Sequence, residues 1–311
     1  MLLFMNSARA QQPASNSSKG ADANSYTQYG LAAAAKGDLN GATAAFNQAL
    51  QIDPKYVPAY YNRAQVHAMQ KDYDDAVSDY GRVIEIDPNN SSSYYERGSI
   101  EGMNGNFDAA INDLKQVIKL DPKFTQAYYN LGHVYYFRGN LDDALDQLNQ
   151  ALILQPDFAL SYFMRGLVRH AQGHQIEAQG DFQRSAGLNF PYATFWLWVL
   201  QTENGHRGLA RQNLVDALAK PEMFSGTDWP SQIANFLLEK IPQDQLVSEA
   251  GQGPIADSKD RLCEAWFYAG IVKHFAGDDK GATECYNKAI ATDAKSSEEY
   301  VEANRLLAQV K

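Results

Sequence analysis

Apolar and small residues recur along the chain in a pattern that repeats every 34 residues. Each repeat carries an aromatic residue followed four positions later by a small one, and then an alanine followed four positions later by a large apolar residue. Spacings of three to four residues place such positions on one face of an α-helix, so the pattern predicts two helices per repeat. The aromatic positions are Tyr26, Tyr60, Tyr94, Tyr128 and Tyr162, and the small ones are Gly30, Ala64, Gly98, Gly132 and Gly166.

Residues that end helices separate the predicted elements. An Asp-Pro or Gln-Pro pair closes each of the first four repeats, and proline stops a helix because it lacks a backbone N–H. Glycine, which favours the left-handed conformation at a helix C-terminus, lies between the two helices of every repeat except the second, where Lys71 stands. A helix–turn–helix period of 34 residues is typical of the tetratricopeptide repeat (TPR). The sequence therefore predicts an all-α fold, a TPR superhelix (α-solenoid) of stacked antiparallel helix pairs with a C-terminal capping helix.

The strength of the pattern divides the chain into segments. Five regular repeats are predicted over residues 23–190, at 23–56, 57–90, 91–124, 125–158 and 159–190. Residues 191–262 are predicted to form a degenerate TPR-like helical segment, because the marker spacing weakens there. One further repeat is predicted at 263–296, with Trp266 and Gly270 in marker positions, and a capping helix at 297–311. One repeat cannot bury its apolar face alone, so the repeats must stack.

The N-terminal residues predict export. Leu2 to Met5 form a short apolar run, and Ala8-Arg9-Ala10 fits a signal-peptide cleavage site before Gln11. We interpret residues 1–10 as a signal-peptide remnant and residues 11–22 as a flexible linker, and we expect a periplasmic or secreted protein. The alternative is an N-terminal tail whose apolar residues occur by chance. No apolar run approaches the roughly 20 residues of a membrane helix, so no transmembrane segment is predicted.

The acidity of the chain excludes two classes of partner. The formal net charge is −10 and the pI about 5.1. Nucleic-acid binding needs basic patches that replace the counterions of phosphate, and adsorption to an anionic membrane surface needs basic clusters. We therefore expect no nucleic acid among the partners. The acidity does not name a partner, because it is common in soluble proteins.

The sequence predicts no catalytic residue, cofactor or metal site. His170 and His174 have the i,i+4 spacing of a metal-binding pair, but Gly173 breaks the predicted helix between them. No nucleophile elbow, P-loop or Rossmann glycine pattern occurs. Cys263 and Cys285 are predicted to stay unbridged, because their levels on two antiparallel helices differ by roughly 12 Å, beyond the ~7 Å limit for bridged Cα atoms.

The binding surface is predicted on the concave face of the superhelix, along the first helix of each repeat. Tyrosine recurs at the fifth position of that helix; its ring gives contact area at low entropy cost, and nearby asparagine amides can pair with a peptide backbone. The alternative is that some of these rings only pack against the next repeat. We expect an extended peptide or a partner helix as the ligand. The predicted protein-binding residues are Tyr61, Asn62, Tyr95, Tyr129, Asn130, His133 and Phe163.

The C-terminal third narrows the interpretation. Residues 191–308 include PYATFWLWVLQTENGHRGLARQNL, WPSQIANFLLEKIPQDQLVSEA and FYAGIVKHFAGDDKGATECYNKAI, which resemble the family of the bacterial lipoprotein NlpI. The resemblance implies a helical, dimeric, periplasmic adaptor that brings peptidoglycan hydrolases to a processing protease. The implied partners are therefore envelope proteins, among them a processing protease and cell-wall hydrolases, and a second copy of the chain as a homodimer.

Two alternatives to this adaptor stay open. One is a generic TPR scaffold subunit of a secretion or envelope assembly complex, because TPR arrays bind many kinds of partner. The other is an enzyme hidden in residues 191–262. The lack of any acid–base or nucleophile constellation argues against the enzyme.

Overall fold

The computed structural model describes residues 18–252 and 255–309, which form α-helices and, within those ranges, no strand. The chain divides into two compact units, the first ending at Asn130 and the second beginning at Leu131. The first seven helices are α1 Ser18–Ala35, α2 Leu39–Ile52, α3 Val57–Gln70, α4 Tyr73–Ile86, α5 Ser91–Met103, α6 Phe107–Leu120 and α7 Thr125–Arg138.

The boundary between the units falls inside α7, and ten further helices belong to the second unit. Within the described residues, the helices of the second unit after α7 are α8 Leu141–Leu154, α9 Ala159–Ala171, α10 Gln175–Gly187, α11 Pro191–Glu203, α12 Arg207–Leu218, α13 Trp229–Leu237, α14 Gln243–Gly251, α15 Ile255–Phe275, α16 Asp279–Ala291 and α17 Glu298–Gln309. The all-α fold predicted from the sequence is confirmed.

The two helices of a repeat pack closely because the first one carries a small residue at the contact. In the first unit a Cβ atom on Gly30 would lie 2.4 Å from the ring of Phe46. In the second unit a Cβ atom on Gly166 would lie 2.6 Å from the ring of Phe182. Both rings are completely buried. The small and large markers of the sequence are therefore contact points between paired helices.

Side-chain hydrogen bonds fix the turn that leads from one repeat to the next. Asp53 ends α2, and its Oδ1 accepts a hydrogen bond from the backbone N–H of Lys55 at 3.0 Å. Tyr60 Oη, from the following helix, donates to the carbonyl of Pro54 at 3.3 Å. The aromatic and proline markers thus hold the same turn. The equivalent bonds join Tyr128 to Pro122 at 3.3 Å and Tyr162 to Pro156 at 3.2 Å.

A buried ion pair also joins the two helices of several repeats. Arg63 on α3 contacts Asp79 on α4 at 2.6 Å, and Asp79 is only 4% exposed. Removing either partner would leave a buried charge uncompensated, which typically costs about 3–5 kcal/mol. The same pair recurs as Arg97–Asp113 at 2.7 Å and Arg165–Asp181 at 2.6 Å.

The helix bounds differ from the sequence interpretation in two places. The predicted signal remnant lies outside the described residues, but α1 begins at Ser18, so the last part of the predicted 11–22 linker is helical. Packing explains this, because Ala23 is buried in a core cluster with Ala42 and Phe46. The other difference is α15, which begins at Ile255, ahead of the repeat predicted to start at 263. Residues 255–275 contain no proline, so nothing in this stretch breaks the helix between Ile255 and the predicted start at residue 263.

Lys71, which replaces glycine between α3 and α4, adopts a left-handed φ of 66°, so the turn keeps its geometry without glycine. Helix α17 lies within the predicted capping segment 297–311. Among the described residues, no helix combines the length and the hydropathy needed to cross a membrane.

Candidate protein-binding surface

In the first unit, the predicted binding residues lie on the first helices of successive repeats. All of them are half-buried, so each side chain keeps part of its surface open to solvent. Glu96, next to Tyr95 on α5, is half-buried as well. We call this set the tyrosine wall, and it consists of Tyr61 and Asn62 on α3, Tyr95 and Glu96 on α5, and Tyr129 and Asn130 on α7.

The rings of the tyrosine wall are anchored against their own repeats. Tyr61 packs edge-on against the buried ring of Tyr80, with 5.5 Å between ring centroids. Tyr95 packs against Phe124 at 4.9 Å. Burial raises the pKa of Tyr95 to about 12 and raises that of Tyr61 further. The two rings therefore combine a packing role with a partly open face, and truncating them to alanine would cost stability as well as contact area.

Glu96 is the charged group of the tyrosine wall. Its carboxylate lies near the hydroxyls of Tyr61, Tyr80 and Tyr95, whose pKa values it helps to raise. Burial raises the pKa of Glu96 to about 7. Within residues 18–252 and 255–309, no hydrogen bond or ion pair satisfies this carboxylate. An unpaired carboxylate beside aromatic rings is suited to receive a cation, because both the charge and the ring faces attract it.

Glu96 is not among the binding residues predicted from the sequence, although the repeat register singles it out. The sixth position of the first helix carries Asn62, Glu96 and Asn130 at 34-residue steps, so the carboxylate stands where the neighbouring repeats have an amide. Asn62 donates through Nδ2 to the Pro58 carbonyl at 2.7 Å, and Asn130 donates to Ser99 Oγ at 2.9 Å. In the described part of the chain, neither amide oxygen accepts a hydrogen bond. Those oxygens can accept from a ligand backbone.

Two of the predicted residues lie in the second unit, and the structure changes the interpretation of both. Phe163 is only 4% exposed, with its ring 5.0 Å from Phe190 and 5.9 Å from Phe182. It is a core residue, packed between these two rings and too buried to meet a ligand. His133 already contacts this chain, since its Nε2 lies 3.3 Å from Oε1 of Glu298 on α17.

The two histidines with metal-pair spacing have different surroundings. His170 is buried beside Trp196 and contacts Arg305, whereas His174 occupies the N-cap position of α10 without a side-chain capping bond. No group of three or more candidate ligands capable of holding a metal ion occurs in the described ranges. Cys263 and Cys285 are both buried free thiols.

Glu264, two residues after the degenerate segment 191–262, is a half-buried carboxylate that contacts two residues of that segment. Glu264 Oε2 accepts hydrogen bonds from Trp229 Nε1 at 2.7 Å and from Tyr192 Oη at 3.2 Å. These bonds tie α11, α13 and α15 together. Burial raises the pKa of Glu264 to about 7, and both donors hold the carboxylate in place.

The sequence of the regular repeats is similar to known family models. A model described as TPR repeat matches residues 30–71 and 103–137. Two models described as tetratricopeptide repeat match residues 57–90 and 125–158 in one case and residues 80–112 in the other. No curated protein sequence matches the chain.

The structure is similar to solved structures of repeat proteins. The crystal structure of the MamA protein shares 27% sequence identity at a TM-score of 0.52, over 54% of this chain and 92% of that one. Pseudomonas aeruginosa pilF shares 17% identity at a TM-score of 0.55, over 67% of this chain and 97% of that one. PilW, described as a widely conserved type IV pilus biogenesis factor, shares 20% identity at a TM-score of 0.55, over 65% and 96%. The likeness to the latter two concerns the fold alone.

Proposed function

Because this chain is a tetratricopeptide-repeat protein, we propose that it is a scaffold that binds other proteins and does not catalyse a reaction. Its tyrosine wall holds an extended segment of a partner that carries a lysine or arginine. The observation that carries this proposal is the Glu96 carboxylate, which is half-buried and has no partner among the described residues. A basic side chain of the ligand supplies that partner.

The other members of the tyrosine wall fit the same ligand. Tyr61 and Tyr95 flank Glu96 and offer ring faces to the cation and to the aliphatic stem that bears it. The free oxygens of Asn62 and Asn130 accept hydrogen bonds from backbone N–H groups of the segment. Recognition of an extended chain through its backbone leaves the partner's other side chains unconstrained. The pairing with Glu96 then supplies the selectivity.

At a finer level, we propose that the protein is an NlpI-like periplasmic adaptor. The resemblance of residues 191–308 supports this, together with the Ala8-Arg9-Ala10 cleavage pattern. In this role it brings cell-wall hydrolases to a processing protease and acts as a homodimer. The second candidate is a scaffold subunit of a secretion or envelope assembly complex. Both roles use the tyrosine wall, and they differ in the partner that it holds.

A selection experiment tests the ligand class. Wild-type protein, immobilised through its C-terminus, selects from a library of displayed twelve-residue peptides. The matched protein is Glu96→Gln, and the control is Glu85→Gln, which alters an exposed carboxylate on α4 paired only with Arg82. Peptides enriched in lysine or arginine on the wild type and on Glu85→Gln, but not on Glu96→Gln, support the proposal. Enrichment without a basic residue, or equal enrichment on all three proteins, contradicts it.

Cross-linking in cells separates the two finer roles. A photoreactive amino acid in place of Tyr61 should capture a partner only through the tyrosine wall. Mass spectrometry of captured proteins from the periplasm is expected to identify a protease and cell-wall hydrolases. Capture of secretion or assembly subunits instead would favour the second role. Recovery of intact protein starting at Met1 from the cytoplasm would refute export.

A further inference from the structure

Helix α17 reaches well beyond the end of the helix stack that it was predicted to cap. It packs on α15 and α16, as a terminal helix does. Its glutamates also contact α7, which lies far earlier in the chain: Glu298 meets His133 Nε2 at 3.3 Å, and Glu302 accepts a hydrogen bond from Tyr136 Oη. A cap on α16 alone would need neither of these contacts.

The surface beneath α17 is built from first helices of the second unit. Tyr136 on α7 and His170 on α9 occupy equivalent positions 34 residues apart, and His170 lies two helical turns after Phe163, on the same face of α9. On the other side, Tyr268 on α15 lies 3.5 Å from Glu299. We call His133, Tyr136, His170 and Tyr268 the α17 seat. It corresponds to the helix face on which the sequence predicts ligand binding.

The chemistry of the α17 seat matches an acidic helix. Tyrosine hydroxyls and imidazoles can donate hydrogen bonds to carboxylates. Helix α17 presents Glu298, Glu299 and Glu302, whose i, i+1 and i+4 spacing puts them along one side of a helix. Glu302 is completely buried and Glu299 is 4% exposed. Glutamates this deeply buried are rare unless donors surround them.

Other charged groups near the α17 seat add both attractive and repulsive interactions to its contact with α17. Arg305 of α17 pairs with Glu302 and lies 3.2 Å from His170 Nδ1, and His170 also contacts Glu203 at 3.6 Å. Glu264 on α15 lies close enough to raise the pKa of Glu299. Ala303 of α17 is also completely buried, so the contact is part apolar and part polar. The polar part, with its opposed carboxylates, exchanges with a competitor at lower cost than a wholly apolar core does.

We infer that α17 is an internal ligand of the α17 seat, and that an acidic helical segment of a partner protein binds there by displacing it. The tether at residues 292–297 keeps α17 at high effective concentration, so the seat is closed until a partner with matching glutamates competes. This surface shares no residue with the tyrosine wall. The inference can therefore fail while the proposed function stands, and the reverse also holds.

A peptide offered in trans tests this inference on the full-length chain. The probe is a fluorescein-labelled peptide with the sequence of residues 296–309, and its binding is followed by fluorescence anisotropy. In the variant Glu298→Gln/Glu302→Gln the internal helix loses two carboxylate charges, so its bonds to the seat are no longer charge-assisted, whereas the seat keeps every donor. We expect this variant to bind the probe at least about tenfold more tightly than the wild type, because the internal competitor is weakened. Equal affinity for both proteins would overturn the inference.

Three controls keep the outcome specific. Glu284→Gln, an exposed carboxylate on α16, should leave the affinity of the probe at the wild-type value. A probe with glutamine at the positions of Glu298 and Glu302 should bind the double variant about tenfold more weakly than the unaltered probe. Adding Tyr136→Phe to the double variant should weaken its binding of the unaltered probe. A probe that binds regardless of its glutamates or of Tyr136 contradicts recognition by the α17 seat.

Hydrogen exchange on the wild-type protein gives an independent readout that does not depend on the folding of any variant. With saturating unlabelled peptide, amides of residues 298–309 in the protein should exchange faster, because the internal helix spends more time displaced. Amides of α9 should stay protected, because the peptide covers the seat. Unchanged exchange in residues 298–309 at saturating peptide would show that α17 is a fixed part of the fold.

Discussion

Tyr136 Oη donates a hydrogen bond to the buried carboxylate of Glu302, although 166 residues separate the two along the chain. The bond joins the C-terminal helix to the first helix of a repeat near the middle of the sequence. It shows that the second unit closes on itself through polar contacts. The first unit, in contrast, carries a charged group on its first helices for which the described residues supply no partner.

Changing Tyr136 to phenylalanine should loosen α17. The variant removes one donor from the buried Glu302 carboxylate, which typically costs about 1–3 kcal/mol. We expect faster hydrogen exchange over residues 298–309 and a lower melting temperature. Tyr162→Phe is the matched control, because the Tyr162 hydroxyl bonds only the Pro156 carbonyl at an exposed turn. Equal exchange of α17 in both variants would mean that the Tyr136 bond does not hold this helix.

Two glycine-to-alanine changes should shift stability in opposite directions. A Cβ atom on Gly166 would press into the Phe182 ring at 2.6 Å, whereas a Cβ atom on Gly180 would meet no atom within 4 Å beyond the backbone of its own helix and its chain neighbours. Gly166→Ala should therefore destabilise the fold by about 1–3 kcal/mol through overpacking. Gly180→Ala, inside α10, should stabilise it by up to about 1 kcal/mol through helix propensity. Urea unfolding of both variants measures this, and a stable Gly166→Ala would disprove the close helix contact.

The stability of the second unit should fall as the pH rises. Burial, with the nearby carboxylates of Glu264 and Glu298, raises the pKa of Glu299 well above its ordinary value of 4.5, and burial raises that of Glu264 to about 7. A carboxyl whose pKa is higher in the folded state holds its proton there at pH values where the unfolded chain has lost it. Its stabilising contribution is therefore greatest at low pH and is lost as the pH rises through the folded pKa.

The variant Glu264→Gln tests this pH dependence. The amide keeps an acceptor for Trp229 and Tyr192 but does not titrate, so melting temperatures measured between pH 5.5 and 8.0 should change less than in the wild type. Glu284→Gln should retain the wild-type pH dependence. If the melting temperature of Glu264→Gln changes with pH as much as that of the wild type, the Glu264 carboxyl is not the source of the pH dependence.

The two cysteines should remain thiols. Both are buried, and burial, together with the nearby Glu299, raises the pKa of Cys263 to about 12. Alkylation without reductant should be slow in native buffer and complete at both sites in denaturant, because the thiolate is the reactive form. Intact mass after denaturation counts the modified sites. A protein two mass units lighter with neither site modified would reveal a disulfide.

Much of the fold follows from local sequence signals. The 34-residue period fixes helix pairs because each marker acts within its own repeat, as Gly30 does against Phe46. The ion pair of Arg63 with Asp79 could also be predicted from the sequence, since an arginine and an aspartate 16 residues apart recur in three repeats.

The binding surfaces were harder to predict because they depend on distant neighbours. Phe163 shares the register of Tyr61 and Tyr95, yet Phe190 from the following turn covers it. His133 was predicted to meet a ligand and instead meets Glu298, 165 residues away. Register along one repeat identifies the face of a helix, whereas contacts from other segments decide whether that face is open.

Calorimetric titration of a lysine-bearing peptide selected on the wild-type protein tests the central claim most directly. The proteins are wild type, Glu96→Gln and Glu85→Gln, and the second ligand is the same peptide with glutamine in place of lysine. A charge-assisted hydrogen bond contributes about 1.5–3 kcal/mol, so Glu96→Gln should weaken the lysine peptide about tenfold or more. The glutamine peptide should bind wild type and Glu96→Gln alike, and Glu85→Gln should match the wild type. If Glu96→Gln binds the lysine peptide as tightly as the wild type does, the tyrosine wall is not the surface that recognises the partner.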